Sequence, residues 1–135
     1  MSRTLLRASA GLAGCVLALP LLAQSQPPIT ASADDPAQVA QREYDEVMAL
    51  TPDAERGRTV YLTCAVCHLP EGWGSPDGSY PQIAGQLRTV VIKQLADFRA
   101  GNRENPLMYP FTVPGIFAGP QEIADVAAYV WQLPL

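Results

Sequence analysis

Residues 64–68 read C-A-V-C-H, and this motif constrains the fold of the 135-residue chain more than any other segment. The two cysteines stand three positions apart, and His68, the only histidine of the chain, follows directly. The third cysteine, Cys15, lies far away near the amino terminus. The chain must therefore fold so that two thiols and one imidazole, held close together by their spacing, reach a common partner.

The C-x-x-C-H spacing is typical of covalent haem attachment. In that chemistry the two thiols add across the vinyl groups of the porphyrin, and the adjacent histidine gives an axial nitrogen to the iron. Two cysteines three apart at a helix end can reach both vinyl groups on one edge of the ring. We therefore predict one haem c, attached through Cys64 and Cys67, with His68 as an iron ligand.

Other chemistries share this spacing and stay open at this point. A disulfide between the two thiols can form in an oxidising compartment, and thioredoxin-like redox sites also use C-x-x-C. A thioredoxin-like site expects a β-α-β context, which the sequence lacks. A zinc site needs a fourth ligand, and residues 24–135 contain no further cysteine or histidine. Chance occurrence of the motif is the remaining alternative.

The single histidine limits the second axial ligand of such a haem. Ligation by two histidines is excluded, which leaves methionine, a weaker donor such as lysine, water, or no ligand. Met48 precedes the motif on a predicted helix, whereas Met108 follows it in a loop stiffened by three prolines. A loop can pass to the far side of the ring, so Met108 is the candidate ligand; the alternative is a methionine that only fills a gap.

The first 23 residues are predicted to be a secretory signal peptide. Arg3 and Arg7 give a positive start, residues 8–23 are nearly all apolar or small, and polar residues follow at once. A retained membrane anchor is the alternative, although the segment is short for a membrane span. Cys15 follows Leu-Ala-Gly as in bacterial lipoproteins, but the apolar run continues past it, so lipidation there is the minority interpretation.

Cleavage after residue 23 leaves seven basic and thirteen acidic residues, a formal charge of −6 before any cofactor is added. Such an acidic surface argues against nucleic acid and anionic lipid as partners. We expect a periplasmic protein with no stable membrane insertion after cleavage.

The rest of the chain predicts an all-α fold with long structured loops. Residues 24–35, rich in Pro, Ser, Gln and Ala, predict a disordered leader. Apolar periodicity and helix start signals predict helices over about 36–50, 51–63, 87–101 and from 120 onward. Residues 69–80 and 102–119 are loops because of their glycines and prolines. Gly57, in the middle of the second helix, predicts close approach of another helix.

Four segments, in this order and spacing, resemble small bacterial class I cytochromes c over about residues 53–133. The first is the motif, on a helix that also holds Gly57 and Tyr61. Residues 80–86, Y-P-Q-I-A-G-Q, are similar to the P-x-L-A-G-Q segment of that family. Residues 94–103 lead into N-P-L-M at 105–108, and residues 123–129, I-A-D-V-A-A-Y, are similar to the closing helix.

The resemblance implies a class I cytochrome c fold over residues 51–135, with helices and loops wrapped around one covalent haem. Residues 24–50 then form the disordered leader and a short accessory helix. His68 would be the proximal and Met108 the distal iron ligand. The carbonyl of Pro81 would accept a hydrogen bond from the other ring nitrogen of His68.

The resemblance also gives roles to residues outside the ligand set. Gly57 and Tyr61 would meet the last helix near Tyr129. Trp73 either flanks the haem edge or simply lies on a loop, and Arg103 either pairs with a haem propionate or is a solvated residue at a helix end.

The function predicted is transfer of single electrons between redox proteins such as a membrane complex, an oxidase or a dehydrogenase. Ligation by histidine and methionine raises the reduction potential and suits such a carrier. A fixed subunit of a periplasmic oxidoreductase is one alternative, and a haem sensor with an open distal site is another. The sequence shows no catalytic constellation, so we predict a carrier and not an enzyme.

Overall fold

A computed structural model of the chain describes residues 35–117 and 119–135. The predicted signal peptide, Cys15 and almost all of the predicted disordered leader lie outside the described residues. Within the described residues, no helix is long and apolar enough to cross a membrane.

Four α-helices and a short 3-10 turn form the described part of the chain, which contains no strand beyond an isolated bridge between Pro114 and Phe117. The helices are α1 (Pro36–Met48), α2 (Ala54–His68), α3 (Arg88–Ala100) and α4 (Pro120–Gln132), and the turn is Tyr109–Phe111. The all-α prediction is confirmed. The proline-rich loop over 102–119 was predicted to contain no regular helix. It contains this single 3-10 turn and no α-helix.

The ends of α2 differ from the prediction. The helix begins at Ala54 and not near position 51, because the Asp53 side chain caps its start by accepting hydrogen bonds from the backbone N–H groups of Glu55 and Arg56. The helix continues past Thr63 to His68, since no residue between them opposes helical geometry. It ends where Leu69 adopts a positive φ of 66°. The whole motif therefore lies on the last turns of α2.

Helices α1, α3 and α4 match their predicted spans closely. Asp35 caps α1 ahead of a proline at its first position, and Gly101 ends α3 in the left-handed conformation with a φ of 73°. Helix α2 packs on α4, α1 packs on α3, and α3 also contacts α4. These contacts enclose one apolar core, which includes Val47, Ile92, Leu95, Ile123, Val126, Ala127 and Val130.

The crossing of α2 and α4 depends on Gly57. A Cβ atom at this position would lie 2.1 Å from the backbone oxygen of Asp125 and 3.0 Å from the Cβ of Tyr129. The predicted close approach is confirmed. One turn further along α2, the ring of Tyr61 lies 5.2 Å from that of Tyr129, and its hydroxyl donates to the carbonyl of Leu69 at 2.8 Å. The helix that carries the motif is thus fixed against α4.

A second contact joins the start of α2 to α4 through Asp125, which is only 2% exposed. Its carboxylate accepts hydrogen bonds from the backbone N–H of Asp53 at 2.7 Å, from Nε of Arg56 at 2.8 Å and from Gln121 at 2.8 Å. Burial opposes ionisation, but the hydrogen bonds outweigh it, and the pKa of Asp125 is lowered. The ionised carboxylate is therefore part of the native fold.

We expect Gly57→Ala to destabilise the protein, because the added methyl group overlaps backbone that cannot move without separating α2 from α4. The gain of about 1 kcal/mol in helix propensity is smaller than this strain. The net loss in unfolding free energy should be about 2–4 kcal/mol, measured by denaturant titration of the purified chain. Thr59→Ala, on the exposed side of the same helix, is the control and should change stability by less than about 0.5 kcal/mol.

We expect Asp125→Asn to lower the unfolding free energy by about 2–3 kcal/mol at pH 7, because charge-assisted hydrogen bonds to Arg56 are lost. The folded-state pKa of Asp125 is depressed, so its stabilisation is present above the unfolded pKa of about 3.9 and is lost as the pH falls through the folded value. The difference between wild type and variant should therefore shrink below about pH 4. An undiminished difference at pH 3, or an equal effect of Glu104→Gln at an exposed carboxylate, contradicts this account.

Candidate cofactor-binding site

The motif occupies the carboxyl end of α2. Cys64 and Cys67 are each partly buried, and their spacing of three places them on one side of the helix. His68 is the last residue of α2 and is 6% exposed. A helix packed against α4 thus presents two thiols and one buried imidazole from its last turns.

The ring of His68 is oriented by the loop that follows α2. Its Nδ1 donates a hydrogen bond to the carbonyl oxygen of Pro81 at 2.8 Å. This is the hydrogen bond that the resemblance implies. It sets the tautomer in which Nε2 carries the free electron pair, as metal-binding histidines require. His68 can therefore bind a metal through Nε2.

Gly74 lets this loop close onto itself beside Pro81, which the sequence analysis missed. It has a φ of 69°, and a Cβ there would lie 2.2 Å from the carbonyl oxygen of Tyr80 and 2.6 Å from the carbonyl carbon of Pro81. Its N–H also donates to the backbone oxygen of His68 at 3.0 Å. Only glycine fits such a position, and a glycine-rich loop was the available signal.

The carboxyl-terminal part of the chain accepts two hydrogen bonds from the same loop. The N–H of Gly85 donates to the carbonyl of Val130 at 3.1 Å, and the indole of Trp73 donates to the carbonyl of Pro134 at 3.0 Å. The structure thus gives Trp73 a contact with the chain terminus while leaving much of its ring exposed. The position of the Pro81 carbonyl depends on α4 as well as on its own loop.

Met108 lies at the entry to the 3-10 turn and is partly buried. Asn105 fixes it locally, because its side-chain oxygen accepts from the backbone N–H groups of Leu107 and Met108 at 3.0 and 3.1 Å. Met108 and Cys64 both pack against the same apolar cluster, whereas Met48 is exposed at the end of α1. Of the two methionines weighed, the structure brings Met108 to the core that the motif also contacts.

The environment of Cys64 disfavours a reactive dithiol. Burial is the largest cause that raises the pKa of its thiol, to about 11. Redox-active C-x-x-C thiols work through a lowered pKa, and they were expected in a β-α-β context. Within the described ranges, no three side chains among His, Cys, Asp and Glu gather into a possible metal cluster. The zinc alternative therefore lacks its ligand set there.

Large apolar side chains remain exposed on the two segments that carry the proposed ligands. They are Leu62, Val66 and Leu69 on and after α2, and Leu107, Tyr109 and Phe111 around Met108. Soluble proteins rarely leave so much apolar surface beside a polar motif without using it. Two thiols, a nitrogen ligand, a thioether and flanking apolar surface together fit a haem.

Arg103 lies over the ring of Phe98, 4.8 Å from its centroid, and its predicted contact with a propionate stays a prediction.

Comparison with known proteins identifies the family. The family model for cytochrome c matches residues 54–134. The chain is 31% identical over 77 residues to cytochrome c-554(548) of Halomonas halodenitrificans, across 57% of this chain and 92% of that protein. It is 40% identical over 60 residues to cytochrome c4 of Azotobacter vinelandii, across 38% of this chain and 29% of the relative.

A further relative is the thiosulfate dehydrogenase electron acceptor of Stutzerimonas stutzeri, 29% identical over 97 residues, across 65% of this chain and 44% of that protein. The aligned segments thus span less than half of the length of the Stutzerimonas protein and of the Azotobacter cytochrome c4. The family match covers more than half of the present chain and agrees with its helical fold. The chain belongs to the cytochrome c family, as a class I c-type cytochrome with covalently bound haem c.

Proposed function

We propose that this protein is a periplasmic carrier of single electrons. The observation that supports it best is the buried His68 ring, oriented by the Pro81 carbonyl at 2.8 Å, at the end of the helix that also carries both thiols. Cys64 and Cys67 would hold the haem through thioether bonds. His68 and Met108 would be its two axial ligands. When bound, the haem supplies an iron that alternates between the ferric and ferrous states.

The protein residues set the conditions for that one-electron change. The hydrogen bond to Pro81 makes His68 a more basic ligand and prevents its ring from rotating. A thioether is a soft ligand that favours ferrous iron and raises the potential. Met108 is held by Asn105, so its loop need not be ordered again at each turnover. If His68 and Met108 filled both axial positions, no position on the iron would be open to a substrate, and this supports a carrier and not an enzyme.

The partners we propose are other redox proteins of the periplasm. One relative is named as an electron acceptor of thiosulfate dehydrogenase, and by analogy a dehydrogenase is a suitable class of electron donor. A membrane complex or a terminal oxidase would receive the electron. The acidic surface, with a formal charge of −6 after the proposed cleavage, suits a basic docking face on the partner. Export by residues 1–23, and a haem domain over residues 51–135, belong to this proposal.

A freely diffusing carrier is favoured over a permanently bound subunit by the packing of α1. In a permanently bound subunit the accessory helix would be the interface element, but its buried residues, Ala40 and Val47, already face the protein's own core. Its exposed positions are mainly polar, including Gln38, Gln41 and Asp45. Permanent interfaces are more apolar than such a face.

We expect Met108→Ala to abolish the red charge-transfer band of iron–methionine bonding in the oxidised, haem-loaded protein. The reduction potential should fall on the order of 100 mV, because axial ligands tune haem potentials over about 0.8 V. Optical spectra and a redox titration measure both effects. Met48→Ala, which removes the exposed methionine of α1, is the matched control and should change neither.

Two other results would contradict the proposal. A wild-type protein without haem that survives denaturation, tested on a haem-stained gel beside Cys64→Ala and Cys67→Ala, would remove the covalent site. A wild-type protein with a high-spin spectrum that binds carbon monoxide readily would show an open distal position, and would make the haem sensor the better account.

A further inference from the structure

A partly buried ion pair connects α1 to α3. The Oε1 atom of Glu43 on α1 lies 2.7 Å from Nε of Arg99 on α3, and each side chain is 16% exposed. Helix α1 precedes residues 54–134, the part matched by the family model. The ion pair therefore joins the family fold to a helix outside the matched residues.

The same guanidinium reaches the loop that carries Met108. Nη1 of Arg99 donates to the carbonyl oxygen of Thr112 at 2.7 Å. Thr112 is completely buried, and both its backbone N–H and its hydroxyl donate to the carbonyl of Tyr109, at 3.0 and 2.9 Å. Arg99 thus holds the closing residue of the 3-10 turn whose first residue directly follows Met108.

The Met108 loop is consequently held at both ends of its turn. Asn105 binds the backbone of Met108 from within the loop, and the N–H of Phe111 donates to the carbonyl of Met108 at 3.0 Å. Arg99 anchors the far end of the turn to α3. If this anchor is released, the turn can move away from the core together with Met108.

We propose that Arg99 is a positioning residue for Met108 and that Glu43 holds Arg99 in this position, so that α1 restrains dissociation of Met108 from the iron. This inference rests on the proposed function, in which Met108 is an axial ligand. It gives the accessory helix a task within its own chain: control of the lifetime of a weak iron–sulfur bond.

The free-energy cost of partly burying the charged Glu43–Arg99 pair agrees with a positioning role. Burial is the largest influence on Glu43 and raises the pKa of its carboxyl, and the attraction of Arg99 offsets this only in part. Buried ion pairs often add little stability over apolar residues of similar size, whereas removal of one partner disturbs the other. The pair is therefore better explained by the geometry it imposes on the Thr112 carbonyl than by a gain in folding free energy.

Imidazole binding to the oxidised, haem-loaded full-length protein tests the inference. Imidazole can occupy the iron only in molecules where Met108 has left, so its apparent affinity at fixed pH reports that population. Arg99→Met should bind imidazole about tenfold more tightly than wild type, and Glu43→Gln about threefold, as the open fraction rises. Arg99→Lys keeps the charge but has one nitrogen for two partners, so it should restore part of the difference.

Matched controls separate a local effect from a general loss of stability. Arg58→Met removes an exposed arginine of α2 whose Nε lies 3.7 Å from Glu55, and it should leave imidazole affinity unchanged. Asp125→Asn destabilises the α2–α4 contact without touching the loop, and it should also leave the affinity within about twofold of wild type. The double variant Glu43→Gln/Arg99→Met should equal Arg99→Met alone, because Glu43 acts through Arg99.

The outcomes distinguish this inference from the proposed function. If wild type shows the iron–methionine band but Arg99→Met, Arg99→Lys and Glu43→Gln all bind imidazole like Arg58→Met, the inference is wrong and the carrier function stands. If Asp125→Asn tightens imidazole binding as much as Arg99→Met, the effect is global and the inference is wrong. If wild type lacks the band, Met108 ligation itself fails. Should Arg99→Met not fold, Glu43→Gln and Arg99→Lys still decide the question.

Discussion

The hydrogen bond from His68 Nδ1 to the Pro81 carbonyl is the contact around which this protein is organised. It requires a loop that leaves α2, turns sharply and returns with one carbonyl at the correct distance from a buried ring. Gly74 permits that turn, and the bond from Gly85 to Val130 fastens the loop to α4. A ligand orientation at the end of one helix therefore depends on the position of another helix far away in sequence.

The α2–α4 crossing supplies the rigid base for this arrangement. Gly57 removes the side chain that would hold the two helices apart, and Asp125 ties the start of α2 to the middle of α4. Tyr61 adds a ring contact with Tyr129 and binds the residue after the motif. The motif is thus fixed from both ends of its helix, so the thiols and the imidazole keep their mutual geometry when the loops move.

The sequence predicted the parts of this molecule that depend on local chemistry. The proline-marked starts of α1 and α4 and the left-handed end of α3 at Gly101 were readable because caps and special φ values act over a few residues. Apolar periodicity ended α2 near Thr63 because it does not mark the last turns of a helix, whereas the resemblance already placed the motif on this helix. The Arg99 contacts were not predictable, since Glu43 and Thr112 are brought to Arg99 only by the folded arrangement of α1, α3 and the loop.

An electron carrier must keep the same ligands in both oxidation states, and its two axial ligands face unequal risks. His68 belongs to a helix end clamped at several points, whereas Met108 would bind through a weaker thioether from a loop with little regular structure. A loop of this kind opens at the lowest free energy in a small protein. A restraint from outside the loop is most useful at that position. There the guanidinium of Arg99, paired with a carboxylate of α1, donates a hydrogen bond to the Thr112 carbonyl. On this argument the accessory helix and the iron ligand are parts of one device.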